Sequence, residues 1–411
     1  MNGRAVYTNP FAVKRLFDWI PALSMMLVSL ISYVDRNTLA LLAPTILKET
    51  GLSGEQYGWI ISAFSVTYMI GNPVWGRWLD RIGLLRGMTL AVGFWTVASV
   101  SHALATGFRS FALARAALGF GEGATFPGGL RTVIQTLPPH LRSRGIAVAY
   151  SGGSLGAVVT PIIVTPIALA WGWRGAFWFT GLIGALWLLL WRTVGRNPKL
   201  RSDSVSFPAE GQHPSWVHPR LWGFMAVYAL GSLPLAFVLY NSSLYLGQVM
   251  GLNQVEIGSL LWIPPLGWEV GYFFWGALAD REGLRDGGGT PPFLRYFLLL
   301  LLLSLPLSAG PAISSVPALM GLLFFSMFVA AGYIIVSVAY ATSVFSGRHA
   351  GFLAGLGAGS WSAMVALVMP YFGRLFDQHN YSAAFVLAAL FPVVGTLLWW
   401  GLHGCSQSAK A

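Results

Sequence analysis

Long apolar stretches alternate with short polar ones along the whole chain. A helix needs about 20 mostly apolar residues to cross a bilayer. Twelve stretches qualify: 19–46, 56–79, 87–106, 109–135, 146–170, 174–194, 221–247, 255–279, 294–309, 316–343, 350–373 and 382–403. The ninth is short and runs into a Pro-rich segment. The longest polar stretch, 195–220, holds Arg196, Lys199, Arg201, Asp203, Glu210 and several prolines. The pattern predicts an all-α membrane protein with 12 transmembrane helices. It divides into a six-helix bundle over 1–194, a linker over 195–220 and a second six-helix bundle over 221–411.

Composition supports a lipid-facing surface. Of 411 residues, 55% are hydrophobic and only 9% are charged, against roughly 25% in soluble domains. The chain has 49 Gly and 18 Trp residues, suited to close helix packing and to anchoring at the membrane interfaces. The net charge of +11 does not point to nucleic acid, because the basic residues are scattered singly or in small groups between apolar stretches. With both termini cytoplasmic, Lys48, Arg109, Arg174 and Arg374 fall on outer loops or their edges, and Arg36 and Arg115 fall inside spans. The other 19 of 25 Lys and Arg residues are then inside, as the positive-inside rule requires. The expected location is the plasma (inner) membrane, with the first span as the membrane signal. Cys405 is the single cysteine, so neither an internal disulfide nor a Cys-rich metal site is expected.

The two halves share an internal repeat. Residues 51–84 and 251–284 align without a gap at an offset of 200, with ten identities that include WGxxxDRxGL. The repeat makes the two bundles pseudo-symmetric, and such transporters bind near the bilayer midplane between their halves. The segment GxxxDRxG after span 2, copied after span 8, resembles the loop signature of the major facilitator superfamily. The resemblance covers essentially the whole chain. It implies a gating loop built from Gly76, Asp80 and Arg81, and from Gly276, Asp280 and Arg281. Gly76 is expected to let two helices approach closely.

Five ionisable residues lie within spans: Asp35, Arg36, Arg115, Glu122 and Glu269. Each is costly in a membrane unless paired or facing a watery cavity. Neighbours Asp35 and Arg36 point about 100° apart on a helix and so cannot pair with each other. Tyr33, Arg36 and Asn37 share one face. The economical arrangement pairs Asp35 with Arg115. It leaves Arg36 free to take a carboxylate with its guanidinium fork, and leaves Glu122 near the cavity. The cluster holds two cations and three acids. A monoanion would raise its net negative charge, so loading is expected to accompany uptake of up to two protons.

The segments YVDRNTLALLAPTI (33–46) and LARAALGFGEGATFPGGLR (113–131) resemble the anion:cation symporter branch of the superfamily, which includes bacterial hexuronate and galactonate transporters. The resemblance implies that Arg36 binds a substrate carboxylate. It also implies that Asp35 and Glu122 carry protons, that Arg115 partners Asp35, and that Tyr33 and Tyr68 contact substrate. The chain departs from galactonate-type members at Gly153, where a glutamine is expected, and at Ser360-Trp361-Ser362-Ala363, where an asparagine is expected. Glu269 is also outside that pattern. The whole is closest to hexuronate-type members.

Further expected substrate contacts are Asn37, Tyr240, Asn241, Ser360 and Trp361, and Trp268 is a mid-span ring that could stack on a sugar. Glu269 joins the proton-coupling set. No nucleotide-binding GxxxxGK[ST] loop, HExxH or GxSxG motif is present, so neither ATP-driven transport nor an enzyme is expected. The expected function is proton-coupled symport of an organic anion such as a hexuronate or aldonate by alternating access. The expected partners are that anion, protons and membrane lipid, with no cofactor, metal or nucleic acid, and the expected state is a monomer. The alternatives are an exporter or uncoupled facilitator of small carboxylates and a membrane anion sensor.

Overall fold

The computed structural model describes residues 18–138, 141–201, 214–281, 293–345 and 349–408, and among them every regular element is helical. The helices follow the twelve expected spans. Span 1 is Ile20–Leu41 continued by Ala43–Thr50, bent by 54° at Leu42. Pro44 lacks the N–H that would continue the helix ladder there. Span 2 is Gly54–Ile82 and span 3 is Leu84–Ser101, extended by a short turn to Leu104. Span 4 is Phe108–Glu122 with Thr125–Thr136. Spans 5 and 6 share the run Arg142–Val194, broken at Gly172, whose φ of 70° suits glycine.

Span 7 is Pro219–Gly231 with Leu233–Gln248, and span 8 is Gln254–Leu260 with Ile263–Arg281. Span 9 is Phe293–Ser304 with a 3₁₀ run to Ala312, the tighter winding expected of its Pro-rich end. Span 10 is Val316–Phe345, span 11 is Ala350–Asp377 and span 12 is Tyr381–Ser408. The helices of spans 2, 4 and 8 are not individually both long and apolar enough to cross a membrane. Of these, span 4 carries Arg115 and Glu122 and span 8 carries Glu269, charged groups that are costly in a membrane unless paired or facing water. Large apolar side chains such as Val97, Leu113, Phe273 and Leu367 face outward along the bundle, as lipid contact demands.

The repeat is visible as paired contacts. Gly71 brings span 2 against span 4, since a Cβ there would lie 2.6 Å from the carbonyl oxygen of Phe120. Gly271 does the same between spans 8 and 10, at 2.7 Å from the carbonyl oxygen of Phe328. One turn on, Trp75 Nε1 donates to the Phe120 carbonyl at 2.8 Å, and Trp275 Nε1 donates to the Phe328 carbonyl at 3.0 Å. This corrects the expectation for Gly76. A Cβ at Gly76 would make only ordinary contact with Pro127, and none lies within 4 Å of Gly276. The repeat's close approaches to spans 4 and 10 fall at Gly71 and Gly271 instead.

Spans 1–6 and 7–12 each enclose a core, around Trp95, Trp187 and Trp191 in one and Phe297, Tyr333 and Trp399 in the other. A third cluster joins the two halves. Gly58 and Gly258 are again a repeat pair. Gly58 packs on the backbone of Met369 and Pro370 in span 11, and Gly258 on Thr165 in span 5. At the same end, Arg374 donates to Glu55 through Nε at 3.1 Å and Nη2 at 2.7 Å. Asp377 accepts from the backbone N–H groups of Gly54 and Glu55 at 2.6 and 2.9 Å. Asp377 therefore caps the start of span 2, where the helix dipole favours an anion. Tyr57 donates to the Tyr240 carbonyl at 2.9 Å, and Gln254 bridges Thr45 and the Leu41 carbonyl. These contacts shut the end of the molecule that carries the 1–2, 7–8 and 11–12 connections.

At the opposite end Gly83, with φ of 83°, turns the chain between spans 2 and 3. Asp80 pairs with Arg131 of span 4. Asp80, Arg81, Asp280 and Arg281 are exposed. Gly283 and Leu284 of the second motif copy, and linker residues 202–213, lie outside the described residues.

Candidate functional site

Buried charge gathers midway along spans 1 and 4. Arg36 donates to Glu122 Oε2 from Nη2 at 2.7 Å and from Nε at 3.0 Å, with both side chains almost wholly buried. Three rings enclose the guanidinium: Tyr33 at 4.4 Å, Phe64 at 4.7 Å and Tyr68 at 4.7 Å from their centroids. Such desolvated cation–π contacts are each worth about 2 kcal/mol. The cage follows from local structure. Tyr33 lies one turn before Arg36, and Phe64 stacks on Tyr68 four residues on, at 5.6 Å and 14°. Gly153 of span 5 clears space for the Tyr33 ring, which a Cβ would approach to 2.9 Å. The glycine that departs from the galactonate pattern thus has a packing role here.

The expected Asp35–Arg115 ion pair is not formed, and Arg36 is not free. Asp35 points away from Arg36, as the helical angle requires, into the space between spans 3 and 6. Its Oδ1 accepts from Ser99 Oγ at 2.6 Å, and Ser99 Oγ lies 2.7 Å from Thr180 Oγ1. Arg115 instead donates from Nη2 to the backbone carbonyl of Arg36 at 3.0 Å. Its long arm ends on the main chain of span 1, while the short Asp35 side chain meets the nearer hydroxyls. Asp35 Oδ2, Glu122 Oε1, Arg115 Nε and Asn37 Nδ2 are buried with no hydrogen-bond partner among the described residues. An unsatisfied buried polar atom costs roughly 1–3 kcal/mol, so each of these four is a costly group for its place in the fold.

Spans 7–12 contribute rings. Trp268 of span 8 contacts Tyr33 at 5.7 Å and Tyr272 at 5.6 Å. Tyr240 is buried within electrostatic reach of Arg36 and Arg115. Asn37 lines a cavity of about 30 Å³, room for a water, with Thr160, Pro161, Pro264 and Pro265. Other expected contacts turn elsewhere. Asn241 donates to the Phe237 carbonyl at 3.2 Å and faces Met369. Trp361 donates to the Ser232 carbonyl at 3.1 Å, and Ser360 to the Gly357 carbonyl at 2.7 Å. Glu269 is half-buried on the Tyr272 side of span 8, with its Oε2 enclosed and unpartnered, and no hydrogen bond joins it to the Arg36 cluster. Phe64, Ser99 and Thr180 were not singled out from sequence. The spacing of Phe64 to Tyr68 carries a signal, whereas single hydroxyls in apolar spans carry none. Among the described residues no three His, Cys, Asp or Glu side chains gather as metal ligands.

The sequence model of the Major Facilitator Superfamily matches residues 25–307. The chain is 28% identical to the hexuronate transporter of Escherichia coli strain K12 over 424 aligned residues, covering 93% of each. It is 36% identical to the hexuronate transporter of Bacillus subtilis strain 168, over 66% of this chain and 64% of that one. A bacterial homologue of the human lysosomal transporter Spinster, in an inward-facing and unoccupied conformation, shares the fold. Its TM-score is 0.78 at 17% identity, covering 94% of this chain and 97% of that one.

Proposed function

The chain belongs to the major facilitator superfamily and is a multi-pass membrane transporter rather than an enzyme, and from that premise we propose that it imports a sugar acid, most simply a hexuronate, together with protons. The observation that carries this reading is the Arg36–Glu122 pair inside its aromatic cage. A guanidinium fork takes any carboxylate equally well in geometry. The substrate carboxylate replaces Glu122 on Arg36, and the displaced Glu122 takes up a proton. Without that proton the exchange would leave an extra negative charge in a buried site, which low dielectric strongly disfavours. The rings of Tyr33, Tyr68 and Trp268 offer apolar faces to the sugar, and Asn37 and Tyr240 offer polar edges. The likeness to hexuronate transporters supports the substrate class.

Alternating access follows the repeat. Spans 1–6 and spans 7–12 rock as two bundles about the site. The end latched by Glu55–Arg374 and Asp377 is the periplasmic one if both termini are cytoplasmic in the inner membrane, as the arginine and lysine distribution supports. The conformation is then closed outside. Asp80–Arg131 belongs to the cytoplasmic gate. In proteoliposomes, glucuronate or galacturonate uptake is expected to rise when the outside is made acidic. Uptake indifferent to the imposed gradient would replace symport with facilitated diffusion.

A further inference from the structure

On the reading that Asp35 carries a coupling proton, we infer that the buried hydroxyl pair Ser99 and Thr180 positions that proton by serving both protonation states of Asp35, apart from the substrate cavity. The inference rests on the proton-symport reading and adds residues to it. Asp35 and Arg36 are neighbours, yet their side chains enter different compartments. Arg36 faces Glu122 and the rings. Asp35 lies between spans 1, 3 and 6, with Ser99 and Thr180 both fully buried.

The pair can reverse. When Asp35 is ionised, Thr180 donates to Ser99 and Ser99 donates to Asp35. When Asp35 is protonated, Asp35 donates to Ser99 and Ser99 donates to Thr180. Thr180 then donates to the Phe177 carbonyl, 3.0 Å away. In both states every hydroxyl proton has an acceptor, and the proton gained or lost is the one on Asp35. Two apolar residues here would leave the carboxylate bare in one state, and a fixed cation would hold it ionised in both.

The surroundings favour this reading. The charged groups facing Asp35 are Arg115 and Glu122 from span 4 and Arg36 from its own helix. The titratable group nearest on span 3 is His102, whose Nδ1 lies 2.8 and 3.2 Å from the carbonyls of Ala98 and Ser99. Its ring stacks on Phe177 at 4.9 Å. That stack pins span 3 to span 6 one turn from the hydroxyl pair. Arg115, bound to the Arg36 carbonyl, ties the backbone of span 1 between the two compartments. A shift of Asp35 therefore reaches Arg36 through the main chain. Ser99 and Thr180 are positioning residues, because they act through Asp35 and do not touch the cavity.

The test is the pH profile of hexuronate uptake in proteoliposomes for wild type, Ser99→Ala, Thr180→Val and Thr180→Ser. Donation by Ser99 favours the charged form of Asp35, so its loss lets Asp35 keep its proton to higher pH. Ser99→Ala should move the half-maximal pH upward by about one unit, tenfold in proton concentration. Thr180→Val, of the same shape as the native side chain, should move it in the same direction by less, and Thr180→Ser should restore it. KM at low pH, where Asp35 is protonated in every variant, should stay at the wild-type value. A raised KM with an unmoved midpoint, or superimposable profiles, overturns the inference. If Ser99→Ala does not reach the membrane, the Thr180→Val and Thr180→Ser comparison decides. Flat wild-type uptake across pH would remove the symport reading, and this inference with it. A sloping wild-type profile with unmoved variants removes only this inference.

Discussion

Spans 2 and 8 are the same helix written twice and put to different uses. Gly71 and Gly271, Trp75 and Trp275, and Gly58 and Gly258 make matching contacts in the two halves. At the position between them, Tyr68 in one copy lies under Arg36, and Trp268 in the other lies against Tyr33. Span 1 carries Asp35-Arg36 where span 7, at the same offset, has Leu235-Ala236. The scaffold is thus duplicated while the charge is not. The first half holds Asp35, Arg36, Arg115 and Glu122, and the second adds the rings of Trp268 and Tyr240.

The comparison can be broken most sharply at Arg36. Arg36→Lys keeps the charge but loses the fork and the flat face against three rings. It is expected to lower hexuronate affinity by at least about tenfold by calorimetry. Arg36→Ala should abolish uptake and destabilise the protein by about 3–5 kcal/mol in thermal unfolding, because Glu122 stays buried alone. Next in size, Glu122→Gln should leave counterflow measurable while gradient-driven accumulation falls by about 10–100-fold. A variant that still accumulates substrate against its gradient would assign coupling elsewhere. In the second half, Trp268→Ala should change the ranking of uronates and aldonates a few-fold in competition uptake, with the pH profile unmoved. The smallest effect is structural. Trp75→Phe and Trp275→Phe each remove one indole N–H donation and should each cost about 1 kcal/mol. Unequal losses would show that the repeat is not energetically symmetric.

Much of this was legible in the sequence. Twelve spans follow from apolar length, because the bilayer fixes how long a crossing helix must be. The repeat located the glycines and tryptophans that bring span 2 to span 4 and span 8 to span 10, although the close approach falls at Gly71 rather than Gly76. The buried charges were found because they are rare in lipid. Their partners were not. Helical angle separates Asp35 from Arg36 but does not say which neighbouring helix each one meets. Four possible pairings of two acids with two arginines look alike in one dimension. The choice was made by Gly119 and Gly123, which seat span 4 against span 2, and by two hydroxyls on spans 3 and 6 that no motif marks. Asn241, Ser360 and Trp361 were polar or aromatic at mid-span, yet they satisfy backbone carbonyls of their own bundle. Whether a mid-span polar group faces a cavity or its own helix depends on rotation about the helix axis.

On the proposed mechanism, substrate carboxylate and Glu122 exchange on Arg36, and the exchange takes up a proton. Proton release or uptake can be read directly by adding glucuronate to the purified protein in weakly buffered solution near neutral pH. The wild type is expected to take up about one proton or more per anion bound, and Glu122→Gln about one fewer. Stoichiometric binding to the wild type with no change in pH would contradict it.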